Sequence, residues 1–102
     1  MLALTIFGER TVYGYGTTLY QNELLLSAQN QSIISPNGVF QLKMQDDGNL
    51  VVYHLANAGN GVSTKALWWT GTSNQPGQTV HRVVMQNDAN LVIYSTLNVP
   101  IW

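Results

Sequence analysis

Five side chains recur at the same spacing in two places in the sequence. Residues 45–53 read QDDGNLVVY and residues 86–94 read QNDANLVIY, so that Gln, Asp, Asn, Val and Tyr occupy alternate positions in both copies, 41 residues apart. Amide, carboxylate and phenol groups can donate to and accept from the vicinal hydroxyls of a sugar ring, while a Val side chain can cover ring carbons. The repeated spacing therefore predicts two binding sites for a neutral, polyhydroxylated ligand.

Each copy is predicted to form a β-hairpin around a tight turn. Polar and apolar residues alternate on both sides of Asp46-Asp47-Gly48, and Asp and Gly are typical of such turns. Because side chains alternate across a strand, one face of each hairpin is apolar, with Leu42, Met44, Leu50 and Val52 in the first copy and Val83, Met85, Leu91 and Ile93 in the second. The other face carries the predicted carbohydrate-binding residues, which are Gln45, Asp47, Asn49, Val51 and Tyr53 in the first copy and Gln86, Asp88, Asn90, Val92 and Tyr94 in the second.

Turn chemistry offers a second explanation for part of the pattern. Asp47 and Asn49 could form an Asx turn that needs no ligand, and Gln45 could pair across the strands. The identity of all five positions in both copies favours the ligand hypothesis, since the turn itself tolerates Ala89 where the first copy has Gly48.

Composition limits the classes of function. The 102 residues are predicted to form one domain, residues 1–102, and 45% of them are hydrophobic. Charged residues are only 9% of the chain, whereas a nucleic-acid surface needs clustered Lys and Arg. The ten Asn and eight Gln supply neutral polar groups instead. No apolar run approaches the ~20 residues of a membrane span, so neither nucleic acid nor membrane insertion is predicted.

Strand patterns dominate the chain. Runs rich in Val, Leu, Ile and Tyr at 39–44, 49–55, 82–85 and 90–94 are separated by Gly, Asn, Pro and Asp. Residues 22–28 are the one segment where a helical turn competes, and residues 55–65 are predicted to be a long flexible loop. The fold class is therefore all-β.

Catalysis is not predicted. The candidate acids and bases are Asp46, Asp47, Asp88, His54 and His81, and their spacing forms no acid–base pair or nucleophile constellation. His54 corresponds to Ser95 in the second copy, so the repeat does not preserve it. With no cysteine and no His–carboxylate cluster, neither a metal site nor a cofactor is expected.

The repeated pattern resembles the mannose-binding signature of the monocot mannose-binding (bulb-type) lectins, Gln-x-Asp-x-Asn-x-Val-x-Tyr. Both copies match it fully, and the segments ALWWTGT and VPIW that follow them also resemble that family, as does GTTLYQNELLLS at residues 16–27. The resemblance covers residues 16–102. It implies a β-prism II fold, in which three four-stranded antiparallel sheets surround a pseudo-threefold axis with core Trp residues. It also implies calcium-independent recognition of mannose or high-mannose glycans.

The chain departs from that family in two ways. The family carries three motifs, but residues 5–13 match the pattern only at Tyr13. Residues 1–15 are expected to supply two short strands, so the third sheet should be incomplete or completed by strand exchange in a homodimer. The resemblance also implies a disulfide, whose positions correspond to Gly48 and His81 in this cysteine-free sequence.

A different class of function stays open. The scaffold could serve as a non-catalytic protein-interaction module, because a fold does not fix its function. Trp69 could then be a contact residue, or it could be a second core or interface aromatic. No basic region precedes an apolar stretch at the N-terminus, so no secretory signal is predicted. Two localisations stay open: the cytoplasm, or secretion as a mature chain.

Overall fold

The computed structural model describes residues 3–6, 9–12, 16–55, 64–73 and 79–102. Within these ranges the chain is all-β, apart from a single 3₁₀ turn at Ser27–Gln29. The strands are β1 (Ala3–Ile6), β2 (Glu9–Val12), β3 (Leu24–Leu26), β4 (Ser32–Ile34), β5 (Phe40–Met44), β6 (Leu50–His54), β7 (Lys65–Trp69), β8 (Val80–Met85) and β9 (Leu91–Ser95). In the described part of the chain, no helix is long and apolar enough to cross a membrane.

The strands form three antiparallel sheets. One sheet has the order β4-β5-β6-β7, the second has the order β3-β8-β9, and the third pairs β1 with β2. Both repeats are hairpins, β5-β6 in the first sheet and β8-β9 in the second, as the sequence predicts. The chain after β9 returns alongside it through a bridge between Tyr94 and Pro100.

The core lies between the apolar faces of the two larger sheets. Met44 is paired with Leu50 in the first sheet, and both are fully buried together with Val83 and Ile93 of the second sheet. Leu25 of β3 completes this fully buried set. Each buried aliphatic side chain contributes about 1.5–3 kcal/mol, so the apolar faces of the hairpins hold the two sheets together.

Most of the predicted strands are confirmed, with shifts of one or two residues at their ends. The segment 22–28, where a helix competed, contains β3 followed by the 3₁₀ turn. Asn30 ends that turn with a left-handed φ of 50°, which explains why the helix does not continue. Residues 56–63 of the predicted loop lie outside the described residues.

The tryptophans are less buried than the resemblance implied. Trp68 and Trp102 follow the two motifs at corresponding positions, and their rings meet edge to face with centroids 5.8 Å apart. They nevertheless remain 44% and 46% exposed, so the expectation of core tryptophans is wrong for this single chain. The two predicted strands within residues 1–15 are confirmed as β1 and β2.

The turns of the two hairpins have the same backbone conformation but differ in their surroundings. Gly48 has a φ of +91° and Ala89 a φ of +72°, both in the left-handed region that favours glycine. A Cβ at Gly48 would lie 2.9 Å from the Val80 side chain and 3.2 Å from the Thr72 carbonyl oxygen, whereas Ala89 is exposed. The side chain that faces Gly48 is therefore Val80, one residue before the His81 that the resemblance implied.

Exchanging the residues at these two turns should have opposite effects on stability. Gly48→Ala adds the left-handed penalty and the clash with Val80, and should lower the free energy of unfolding by about 2–4 kcal/mol. Ala89→Gly relieves the penalty at an open site and should raise it by about 0.5–1 kcal/mol. Urea unfolding measures both, and equal effects of the same sign would contradict this account.

Candidate functional site

An Asx turn shapes the tip of each hairpin. Asp47 Oδ1 accepts a hydrogen bond from the Asn49 amide at 2.9 Å, and Asp88 Oδ1 accepts one from the Asn90 amide at 3.0 Å. The turn is closed in the first hairpin by the Gly48 amide, which donates to the Gln45 carbonyl at 3.0 Å. Asx turns are therefore present at both Asp residues. Each turn fixes the position of the carboxylate at the polar edge of its sheet.

The polar side chains of the first motif contact one another. Gln45 Nε2 donates to Asp47 Oδ1 at 3.1 Å and to Oδ2 at 3.3 Å. The Tyr53 hydroxyl donates to Gln45 Oε1. Gln45 therefore joins the carboxylate at the tip to the phenol in the strand, and the three groups form one continuous hydrogen-bonding surface.

The second motif has the same arrangement with fewer internal hydrogen bonds. Gln86 Nε2 donates to the Tyr94 hydroxyl, while Asp88 and Asn90 are both exposed. The backbone N–H of Asn90 donates to Asp88 Oδ1, whereas its side-chain amide makes no hydrogen bond within the described part of the chain. The structure therefore brings Gln, Asp, Asn and Tyr together in both copies, as the sequence predicts.

A segment after β7 holds the side chain of Asn49. Asn49 Oδ1 accepts from the Gly71 amide at 2.9 Å, from Thr70 Oγ1 at 3.2 Å and from the Thr72 amide at 3.3 Å. Thr72 Oγ1 also donates to the Gly48 carbonyl at 2.6 Å. These contacts fix the Asn49 carbonyl oxygen to the protein and leave its Nδ2 as the group that can donate to a ligand.

The first hairpin is also held from its other side. Ser27 Oγ donates to the Gln45 carbonyl at 2.6 Å, and the Asp46 amide donates to Asn30 Oδ1 at 2.9 Å. Residues 27–30 and residues 70–72, both distant in sequence from the hairpin, therefore hold the tip of the first motif. This preorganisation lowers the ordering cost of binding.

The Val residues of the two motifs are not equivalent. Val51 faces the same side of the sheet as Lys43 and Trp69, its partners on β5 and β7, and only 3% of its surface is exposed. Val92 is half-buried. With so little of its surface open, Val51 offers a ligand much less apolar surface than the sequence pattern suggests, and its contact with a ligand stays a prediction.

A basic side chain lies against the second motif. The Arg82 guanidinium carbon lies 4.7 Å from the centre of the Tyr94 ring, and Arg82 Nη2 donates to Asn98 Oδ1 at 3.1 Å. Burial lowers the pKa of the adjacent His81, and the positive charge of Arg82 lowers it further. The sequence pattern did not predict the contact of Arg82 with Tyr94 or the role of residues 70–72. A Thr-Gly-Thr run directly after a strand is nevertheless a recognisable source of hydroxyl and amide donors.

Taken together, the two sites present neutral donors, carboxylate acceptors and phenols on open surfaces. Among the described residues, no group of three or more His, Cys, Asp or Glu side chains is placed to hold a metal ion. Such surfaces suit a ligand with several hydroxyl groups, each of which both donates and accepts.

Two solved lectin structures are similar to this chain. A lectin from Mycobacterium smegmatis, which forms a domain-swapped dimer, has a TM-score of 0.63 and 39% sequence identity, and the match covers 85% of this chain and 69% of that chain. A lectin from Marasmius oreades has a TM-score of 0.64 and 26% identity, with 90% and 66% of the two chains covered. No protein-family model and no curated protein matches the chain.

Removing the Thr70 hydroxyl should destabilise the first site. The hydroxyl contacts Asn49 and Thr72, and it also accepts from the Leu50 amide at 3.1 Å. Thr70→Val leaves these polar groups unpaired, and should lower the free energy of unfolding by about 1–3 kcal/mol. Urea unfolding measures the loss. Thr17→Val, at an exposed threonine, is the control and should change stability by less than about 0.5 kcal/mol; equal losses in both variants would contradict the role of Thr70.

Proposed function

The chain belongs to the same lectin family as the mycobacterial protein, and from this premise we propose that it binds mannose-containing glycans through its two hairpin motifs. The observation that carries the proposal is the repeated cluster of Gln, Asp, Asn and Tyr at both hairpin tips. In each copy the Asp carboxylate is fixed by an Asx turn, so that its remaining acceptor sites can face a sugar hydroxyl.

The donors and acceptors around each carboxylate match a pyranose with adjacent hydroxyls. At the first site Asp47 is the acceptor, and Asn49 Nδ2 donates because Oδ1 is already occupied. Tyr53 and Gln45 exchange their internal hydrogen bond for bonds to a third hydroxyl. Asp88, Asn90, Tyr94 and Gln86 act in the same way at the second site.

The finer features of the proposal follow the resemblance to bulb-type lectins. Residues 1–102 form one such domain with a β-prism II arrangement, in which β1 and β2 belong to the third sheet. Binding needs no calcium, since the acceptors contact the sugar directly, and no chemical step follows it.

Weak single sites make valency important. A monosaccharide has about a dozen heavy atoms, and at ~0.3 kcal/mol per atom it binds with about −4 kcal/mol, which corresponds to a millimolar dissociation constant. Two sites in one chain, and more in an oligomer, can engage the branches of a high-mannose glycan at the same time. Linked binding of this kind raises the apparent affinity by about 10²–10⁴.

Isothermal titration with methyl α-mannoside in EDTA tests the proposal. We expect saturable heat at two sites per chain with millimolar affinity, and no heat with methyl α-galactoside. Absence of heat with the mannoside at tens of millimolar would overturn the proposal and favour a protein-interaction module.

Paired Asn substitutions test the site assignment without removing the turns. In Asp47→Asn with Asp88→Asn, each new Oδ1 can still accept from the backbone amide two residues on. The charge is lost, and each neutral hydrogen bond to the sugar is about 1–2 kcal/mol weaker. The mannoside affinity should fall at least tenfold with little change in the free energy of unfolding; retention of full affinity would reject the assignment.

We also propose that a second copy of the chain covers the exposed apolar surface around Trp68 and Trp102. Leu67, Trp68 and Trp102 are each between 44% and 48% exposed, and large exposed apolar patches mark interfaces. The similar mycobacterial lectin is a domain-swapped dimer. Exchange of strands between two copies would complete the third sheet over these side chains.

Native mass spectrometry tests the dimer. The main species should have twice the 11.3 kDa mass of the chain, and Trp68→Ala should shift it toward the monomer. Tyr20→Ala, at a side chain that is 66% exposed elsewhere on the surface, is the control and should leave the dimer intact. A wild-type monomer at tens of micromolar would exclude strand exchange.

A further inference from the structure

Trp69 lies beside the first motif on the face that carries its polar residues. In the register of β6 with β7, Trp69 is the partner of Val51, and Trp68 is the partner of Val52. Cross-strand partners project from the same face of a sheet. Trp69 therefore shares the face of Val51 and Tyr53, while Trp68 faces the core side.

The apolar surface at this site belongs to Trp69. Val51 is 3% exposed, whereas Trp69 is 56% exposed. The indole of Trp69 is therefore the exposed apolar group beside the first motif, where the sequence pattern predicts the Val51 side chain. At the second motif, Val92 is half-buried and keeps part of its surface open.

The backbone of Trp69 is held in place by its neighbour. The Thr70 amide donates to the Leu50 carbonyl at 3.0 Å, and the Leu50 amide donates to Thr70 Oγ1 at 3.1 Å. Thr70 also contacts Asn49 of the motif. Thr70 therefore links the backbone of Trp69 to the side chain of Asn49, which is a proposed sugar-binding residue.

We propose that the indole of Trp69 stacks against the C–H face of the pyranose held by the first motif, and makes this the tighter of the two sites. The faces of aromatic rings carry partial negative charge, and the C–H groups of a sugar ring carry partial positive charge. The inference rests on the proposed binding of mannose by the motifs. It adds a residue outside them and predicts unequal sites within one chain.

Variants that retain one motif isolate the contribution of Trp69. Asp88→Ala with Asn90→Ala leaves the first site, and Asp47→Ala leaves the second. Adding Trp69→Ala to the first background should weaken methyl α-mannoside binding about tenfold by calorimetry. Adding it to the second background is the matched control and should leave the affinity unchanged.

Tryptophan fluorescence supplies a readout that does not depend on the Ala variant. The mannoside should change the emission of the background that keeps the first site. Trp69→Phe in that background should keep most of the affinity, because a phenyl ring can still stack, and should lose the emission change.

The outcomes separate this inference from the function on which it rests. Mannoside binding that is equally strong with and without Trp69 at the first site would overturn the stacking role and leave the lectin function standing. Loss of the dimer in Trp69→Ala without a loss of affinity would likewise overturn it, and would assign Trp69 to a contact between copies. No mannoside binding by the wild-type chain would overturn both proposals.

Discussion

The first site depends on the capture of Asn49 by residues 70–72. One carbonyl oxygen accepts from Thr70, Gly71 and Thr72, and this ties the tip of the β5-β6 hairpin to the end of β7. Gly48 is drawn so close to Val80 and the Thr72 carbonyl that no Cβ fits there. The same contacts determine which end of the Asn49 amide faces outward and where Trp69 lies. Hydrogen bonds to residues 70–72 thus control both the packing at Gly48 and the groups that the first site presents.

The two repeats show how identical residues acquire different surroundings. Both tips have the Asx turn and the Gln–Tyr contact, which arise within nine residues and need no help from the rest of the chain. The clamp on Asn49 comes from residues outside the hairpin, whereas the Arg82 side chain over Tyr94 belongs to the second hairpin itself and replaces Gln41 of the first copy. A repeated motif therefore specifies a repeated local geometry, while the affinity of each copy is set by its neighbours. Unequal sites would suit the proposed multivalent binding, because the tighter one would retain the glycan while the weaker one would exchange branches.

Alternation and turn residues were sufficient to predict the hairpins and their faces. Met44, Leu50, Val83 and Ile93 are buried as expected because a period of two leaves one face apolar. The burial of Val51 could not be predicted in this way, since it depends on which strand pairs with β6 beyond the hairpin. The same is true of Val80 against Gly48. The residue that faces Gly48 is Val80 instead of His81, and the strand has a bulge between Val80 and Arg82. The local sequence pattern contains no signal for this bulge.

Trp68 and Trp69 lie on opposite faces of β7, and the two proposals give them different roles for that reason. Trp68 points to the core side, where it meets Trp102 at the open end of the space between the sheets. Covering that side would need more protein, and a second copy of the chain is the proposed source. Trp69 points to the polar side, where a second β-sheet would have to bury Asp47 and Asn49, at a cost of several kcal/mol for unpaired polar groups. In the proposed complex, a ligand with its own hydroxyls would satisfy these groups while its ring carbons would cover the indole. The alternation of one strand thus places the proposed assembly surface and the proposed recognition surface at two adjacent residues.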